Sequence, residues 1–371
     1  MKTNKFSKRI YFFVGTTTEL IKLAPIIKEL ENRDINFKII TSGQTTVNLS
    51  ELGFFIKRKR ADISLGEKTD KSSVSVFFMW FLRTFIKIPF LGKEFKGLNK
   101  ENSYFIVHGD PVSSLLGAIL ARYYKLKLVH IESGLRSFSL LEPFPEELCR
   151  MIISRLADVH FCPNEWSVNN LAGISGDKIN TFQNTQIESN NAALNKIRTS
   201  NNLLKLPRKK YFVMIVHRQE HVIFGKEESM KLIKFITKQT DTKLQCIFIT
   251  HLTTSNFIRS SKQKLSPKQM KKIRFESRLT YLDFVNLISN AQYIVTDGGT
   301  NQEEAYYLGL PCLILRNRSE RIEGLGENAL LSKNNKPLIK KFMTHYNDYK
   351  RGRVSINKRP SSIIVDYLTT N

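Results

Sequence analysis

Hydrophobic and polar positions alternate along the chain with two different periods. Short apolar runs at 10–14, 37–41, 104–107 and 126–131 read as buried strands. Between them, apolar residues recur at helical spacing over 19–30 and 113–124. Residues 145–156 read as a helix whose first turn carries Glu146 and Glu147, where the helix dipole favours acids. The stretch 183–207 is polar, rich in Asn and Ser and weakly periodic, and reads as the connection between two domains. The pattern then restarts with apolar runs at 211–216, 245–250, 273–275, 293–296 and 312–315, and helical stretches at 226–237, 281–289 and 301–308. Strands alternating with helices in both halves predict an α/β fold: two doubly wound, Rossmann-like domains with parallel sheets and right-handed crossovers, facing a central cleft. The expected domains are residues 1–185 and 186–350, with a tail at 351–371 that returns to the first. Ligands of such sheets bind beyond the carboxyl ends of the strands.

The unusual polar residues fall at those ends. The first strand runs into Gly15-Thr16-Thr17-Thr18-Glu19 and the second into Ser42-Gly43-Gln44. The third gives His108-Gly109-Asp110, and the fourth gives Glu132-Ser133-Gly134-Leu135-Arg136. A single carboxylate in such a place is ordinarily a helix cap. Asp110 and Glu132 at adjacent strand ends, with Glu146 one loop away, put three acids on one crevice. Their mutual repulsion raises at least one pKa, which is how proton-transfer carboxylates are made. In the second half, Asp297-Gly298-Gly299-Thr300-Asn301-Gln302-Glu303-Glu304 joins a strand to a helix, and its glycines let backbone N–H groups approach a phosphate. Glu304, one turn in, either accepts ribose hydroxyls or lies on a solvated helix face. His217-Arg218 follows the first strand of this half; Arg316, Arg318 and Arg321 follow the last. They are suited to a diphosphate, or are ordinary surface charges.

Composition narrows the classes. The 371 residues are 41% hydrophobic and 25% charged, a globular balance with enough length for two cores. The net charge of +25 favours anionic partners such as nucleotides, nucleic acid or an anionic membrane, although a lysine- and asparagine-rich coding composition produces the same excess. Cys149, Cys162, Cys246 and Cys312 are scattered without a CxxC pair, against a zinc ribbon or a disulfide scaffold. The basic N-terminus leads into an apolar stretch of only 11–14, and no run of 18 apolar residues appears, so a signal peptide and a spanning helix are not expected and the protein reads as cytoplasmic. No GxxxxGK[ST], no GxGxxG after the first strand and no HExxH is present, and His108, His130 and His160 are scattered, the last two expected in sheet layers. One segment stands apart. Residues 74–91, VSVFFMWFLRTFIKIPFL, carry Arg83 and Lys87 four apart and are flanked by the basic run 57–60 and by Lys93 and Lys96. They read as a helix packed on the sheet with snorkelling cations, or as a peripheral contact with the inner face of a membrane.

Seven strings, in this order, carry a family resemblance: GTTTELIKLAP (15–25), VHGD (107–110), HIESGLR (130–136), PFPEELCR (143–150), HRQE (217–220), TDGGTNQEEAYYLG (296–309) and RNRSERIE (316–323). Together they resemble the non-hydrolysing UDP-N-acetylglucosamine 2-epimerase family, of glycosyltransferase-B-like fold. The resemblance implies that UDP-N-acetylglucosamine loses its C2 proton and its UDP, passes through a 2-acetamidoglucal, and regains UDP as the manno epimer, for surface polysaccharide. It assigns catalytic positions to Asp110, Glu132, Glu146 and His217. It assigns substrate-binding positions to Lys22, Gln44, Arg150, Phe284, Gly298, Gly299, Thr300, Glu304 and Arg321. It implies a homodimer, no metal, no NAD and no nucleic-acid partner. The chain departs from the family at Thr17 and Thr18, where Arg-Pro is usual, and at Thr45, Pro111, His221, Gly298 and Thr300. Retained acids with an altered phosphate grip leave two readings: an epimerase, or a glycosyltransferase on the same scaffold with a membrane-associated acceptor. A non-catalytic binder is the third, and no nucleic-acid-binding motif accompanies the charge.

Overall fold

The computed structural model describes residues 8–66, 74–140, 142–201, 203–216, 226–241, 243–250 and 265–370. The chain forms two compact units, Met1–Ser189 with Ile356–Asn371, and Asn190–Ser355.

In the first unit, seven strands form one parallel sheet: β1 (Arg9–Val14), β2 (Phe37–Thr41), β3 (Ile63–Ser64), β4 (Ser103–His108), β5 (Lys127–Ile131), β6 (Val159–Cys162) and β7 (Asp177–Asn180), in the order β3-β2-β1-β4-β5-β6-β7. Phe12 of β1 lies opposite Ile39 on one side and Ile106 on the other. The central strands are apolar at nearly every position because both faces of the sheet are covered. Tyr11, Phe13, Phe105 and Val107 share one core with Phe95 and Leu116, and the Tyr11 and Phe105 rings stack at 6.4 Å. Gly117 lets the helix Val112–Tyr123 lie against this sheet, since a Cβ there would come within 2.7 Å of the Phe13 ring. The strand order reverses between β1 and β4, so the loops after these two strands diverge and open the crevice where ligands of such sheets bind.

The second unit repeats the scheme with β8 (Tyr211–Ile215), β9 (Gln245–Ile249), β10 (Ile273–Glu276), β11 (Ile294–Thr296), β12 (Cys312–Ile314) and β13 (Ala329–Leu331), in the order β10-β9-β8-β11-β12-β13. Phe212 and Tyr293 stack at 4.6 Å at its centre, with Phe342 edge-on to Tyr293. The reversal here falls between β8 and β11.

The periodicity passes over four strands: β3 with two residues, β13 with three, β7, which reads Asp-Lys-Ile-Asn, and the buried β6, only Val-His-Phe-Cys. The stretch expected to be a plain connection holds a helix, Gln186–Arg198. Beside the apolar Ile187, Ala193 and Leu194 it buries polar residues that are hydrogen-bonded. Ser189 donates to the Ile21 carbonyl at 2.6 Å, and Glu188 accepts from Ser361 N–H at 2.8 Å and from Arg359 Nε at 2.9 Å. The helix Pro360–Thr370 packs on Thr17–Asn32 in the first unit, with Arg33 and Asp366 paired at 2.6 Å.

The aromatic segment forms the helix Val74–Lys87 followed by a turn of 3₁₀ helix, Ile88–Leu91. One side packs inward through Trp80, Thr84 and Ile88, and Trp80 Nε1 donates to the Ser42 carbonyl at 2.9 Å. The other side stays exposed, with Phe78, Ile86 and Phe90 at 60%, 62% and 81%. Among the described residues, no helix is long and apolar enough to cross a membrane.

Candidate functional site

The acids of the first unit sit where β4 and β5 stop. Gly109 turns the chain after β4 with φ +62°, and Glu132 follows β5 with φ +62°. For a side-chain-bearing residue that conformation costs about 1–2 kcal/mol, and such strain collects at functional sites. Glu132 is 7% exposed, and its Oε2 accepts from Lys22 Nζ at 2.5 Å and from Asn184 Nδ2. His108 Nε2 lies 3.9 Å from the same oxygen. Lys22, 1% exposed, is delivered by the second turn of the helix Thr17–Asn32, which Thr16 caps by accepting Glu19 N–H at 3.2 Å.

Asp110 accepts from Arg150 Nη2, whose other terminal nitrogen donates to Glu147 Oε2 at 2.8 Å. Glu147 in turn accepts from Arg136 Nε at 2.6 Å and from Ser137 N–H at 3.0 Å. The result is a chain of alternating charge, Arg136–Glu147–Arg150–Asp110. Burial by itself would raise the Glu147 carboxyl, but the Ser137 N–H and the two guanidinium groups outweigh it and hold the group below the ordinary carboxylate range. Glu146 opens the same helix, Glu146–Leu156. The Cys149 thiol is pushed up to about 12, by burial first and then by the charges of Asp110 and Glu146, so both carboxylates act on one sulfur. The expectation of three bare acids repelling one another is therefore corrected: cations are interleaved, Lys22 with Glu132 and Arg150 with Asp110.

Beneath the acids, His130 Nε2 lies 2.8 Å from the Gly109 carbonyl, which only accepts, so this nitrogen carries the proton. Burial first, and then His160, drive the His130 pKa down to about 3, keeping the ring neutral. His160 contacts Ser133 Oγ and the Ser175 carbonyl at 3.0 Å each, also inside the sheet. Gln44 is half-buried, and its Oε1 accepts Ser113 N–H at 2.9 Å, at the start of the helix after β4.

The sequence reading passed over two residues here. Glu147 looked like one of two first-turn acids. Glu19, given no role from the sequence, is 3% exposed and tied to Gly15, Ser113 and Ser114.

In the second unit, β11 runs through Asp297 into the helix Gly299–Leu308, whose N-cap Gly298 offers no side chain. A Cβ on Gly299 would meet Glu320 Oε1 at 2.4 Å and Arg321 Nε at 3.0 Å, so glycine lets the segment after β12 lie against the start of this helix. Arg321 is not a surface charge: it is 4% exposed, with Nη1 3.1 Å from Glu303 Oε2. Arg316 pairs with Glu320 at 2.6 Å. Gln302, unremarked in the sequence, ties the segment down by donating to the Arg321 and Glu323 carbonyls at 3.2 and 2.8 Å. Glu304 is buried rather than solvated, and accepts from Asn301 Nδ2 at 3.0 Å. Thr300 is half-buried at the helix start, and Phe284 is half-buried against the core of Ile247, Ile249 and Leu287. His217 and Arg218 lie outside the described residues.

A family model for UDP-N-acetylglucosamine 2-epimerase matches residues 28–360. A Campylobacter jejuni UDP-N-acetylglucosamine 2-epimerase is 30% identical over 335 residues, 86% of this chain and 84% of that protein. Among solved structures, a Methanocaldococcus jannaschii UDP-GlcNAc 2-epimerase in complex with UDP-GlcNAc and UDP superposes with a TM-score of 0.81 at 27% identity, covering 98% of this chain and 100% of that one. The Neisseria meningitidis UDP-GlcNAc 2-epimerase bound to UDP-GlcNAc gives 0.80 at 26%, with the same coverage.

Proposed function

The chain belongs to the UDP-N-acetylglucosamine 2-epimerase family, and from that premise we propose that it interconverts UDP-N-acetylglucosamine and UDP-N-acetylmannosamine. The reaction breaks the C2–H bond and the C1–O bond to UDP, and re-forms both with the proton on the opposite face. The observation that carries this reading is the interleaving of acids and cations at the ends of β4 and β5. A carboxylate must take and another must return a carbon-bound proton, while cations offset the charge of the departing diphosphate.

Asp110, Glu132 and Glu146 are assigned the proton transfers, with Lys22 and Arg150 orienting the first two. His217 is assigned to the same chemistry on the resemblance alone. Gly298, Gly299, Thr300, Glu304, Arg321 and Phe284 are assigned to UDP, and Gln44 to the loop that flanks the sugar. Thr17 and Thr18 bring no cation to the first loop, and Lys22 is already paired with Glu132. Arg150 and Arg321 are likewise paired, with Asp110 and with Glu303, so Lys22 keeps its assignment to the substrate beside them.

The test is proton NMR of the purified protein with UDP-N-acetylglucosamine in D2O. Deuterium at C2 with a growing manno anomeric signal is the expected result, and Asp110→Asn abolishes it. No exchange, together with sugar transfer to a lipid-linked acceptor, would establish the glycosyltransferase instead.

The protein is read as a cytoplasmic homodimer supplying a manno sugar for surface polysaccharide. The exposed apolar side of Val74–Lys87 suits a contact with the inner face of a membrane or with a second copy, since patches of this kind mark interaction sites. Ile86→Glu then yields a monomer in sedimentation. Retention of the dimer together with loss of liposome binding would favour the membrane contact.

A further inference from the structure

Glu19 lies outside every assigned role, yet three groups converge on its carboxyl. Its Oε2 accepts from Gly15 N–H at 3.1 Å and from Ser113 Oγ at 3.4 Å. Its Oε1 lies 3.0 Å from Ser114 Oγ. Ser114 Oγ is also 2.6 Å from the His108 carbonyl, the last residue of β4 and two before Asp110.

Proton counting decides the state of this cluster. A serine hydroxyl has one proton, and a backbone carbonyl only accepts. The shorter contact takes the Ser114 proton to His108. The 3.0 Å contact between two oxygens is then a hydrogen bond only if Glu19 Oε1 supplies the proton. Oε2, left as the carbonyl oxygen, accepts from Gly15 and Ser113. The contacts with Gly15, Ser113, Ser114 and, through it, the His108 carbonyl are all satisfied by a neutral carboxylic acid. Burial, the largest cause, acts in the same direction and raises the group to about 7, with hydrogen bonds from Thr16 and Gly15 opposing it.

We propose that Glu19 is a positioning residue of the site, which as a neutral acid holds the β1 loop and, through Ser114, the β4 turn that presents Asp110. The proposal rests on the epimerase reading. Ionisation would turn Ser114 toward Glu19 and release the His108 carbonyl, loosening that turn.

The charged groups on the elements around it are already engaged. Lys22, one turn on in the same helix, is paired with Glu132, and Asp110 with Arg150. His108 faces Glu132 at 3.9 Å. The helix Val112–Tyr123 contributes neutral Ser113 and Ser114 here and carries Arg122 in its last turn, paired with Asp158 at 3.0 Å; the β2 end contributes neutral Gln44.

The test compares wild type, Glu19→Gln and Glu19→Ala by C2 deuterium exchange across pH 5–9. Gln can accept from Gly15 and donate to Ser114, so the expected kcat stays within about threefold of wild type, whereas Ala lowers kcat about a hundredfold with KM little changed. Wild type loses rate as pH rises through about 7, and Glu19→Gln removes that fall. A folded Glu19→Gln protein as slow as Glu19→Ala, or with the wild-type alkaline fall intact, would overturn the proposal. If wild type shows no exchange, the epimerase reading fails instead. The infrared band of a protonated carboxyl then decides on its own, because its presence in wild type and loss in Glu19→Gln supports the neutral acid, and its absence from wild type overturns it.

Discussion

Removing the Lys22 ammonium tests whether the buried pair with Glu132 organises the first unit. The two side chains are 1% and 4% exposed and 2.5 Å apart. At an effective dielectric of about 20 their attraction is about 6–7 kcal/mol. Desolvating two ions costs several kcal/mol each and offsets most of it. Breaking such a pair from one side leaves the other charge buried without its counter-ion, so Lys22→Met and Glu132→Gln each cost about 3 kcal/mol, while the double variant costs much less than their sum. The expected coupling is about 2 kcal/mol. Urea unfolding followed by tryptophan fluorescence reads it cleanly, because both tryptophans, Trp80 and Trp166, belong to the first unit. Single costs that add to the double within about 0.5 kcal/mol would refute the reasoning, since independent sites behave that way.

Three further outcomes are expected. Gly134→Ala places a Cβ 2.0 Å from the Ser167 carbonyl oxygen at φ +82° and lowers Tm far more than Gly173→Ala, which at φ +78° meets nothing within 4 Å and bears only the left-handed backbone cost of about 1–2 kcal/mol; equal shifts in thermal scans would sink the steric argument. Arg150→Lys loses the fork that joins Asp110 to Glu147 and lowers the deuterium-exchange rate about a hundredfold, and a wild-type rate would show that a point charge suffices. Glu19 rises from 4.5 to about 7 on folding. Below 4.5 both folded and unfolded chains hold the proton; between 4.5 and 7 only the folded chain does; so stability falls by about 3 kcal/mol across that window and then levels off. Tm measured against pH shows that fall in wild type and loses this component in Glu19→Gln.

The alternation of apolar runs and helical spacing made the central strands of both sheets legible, because buried parallel strands need apolar residues at nearly every position. The edge strands β3, β7 and β13 escaped, since β7 is polar and the other two hold two and three residues, and so did β6 inside the first sheet, four residues with His160 among them. The helix Gln186–Arg198 escaped because Glu188 and Ser189 are buried through hydrogen bonds rather than apolar contact. Asp110 and Glu132 were legible as acids at strand ends, and Glu146 as an acid in the first turn of a helix. What could not be read was their counter-ions: nothing in the spacing says that Lys22 or Arg150 arrives beside them, because those contacts span 110 and 40 residues. Glu19 shows the same limit in another form. Only the fold brings Ser113 and Ser114 to it.

The helix Pro360–Thr370 has a consequence for how the molecule is made. It completes the first unit, but it is synthesised after the whole of Asn190–Ser355, an interval on the order of ten seconds at usual elongation rates. Through that interval Glu188 and the outer face of the helix Thr17–Asn32 wait without Arg359, Ser361 and Asp366. The second unit, contiguous in the chain, can finish first. Translation thus reverses the order of the units, and a nascent chain halted before residue 360 carries a complete second sheet beside a first unit whose outermost helix is still missing.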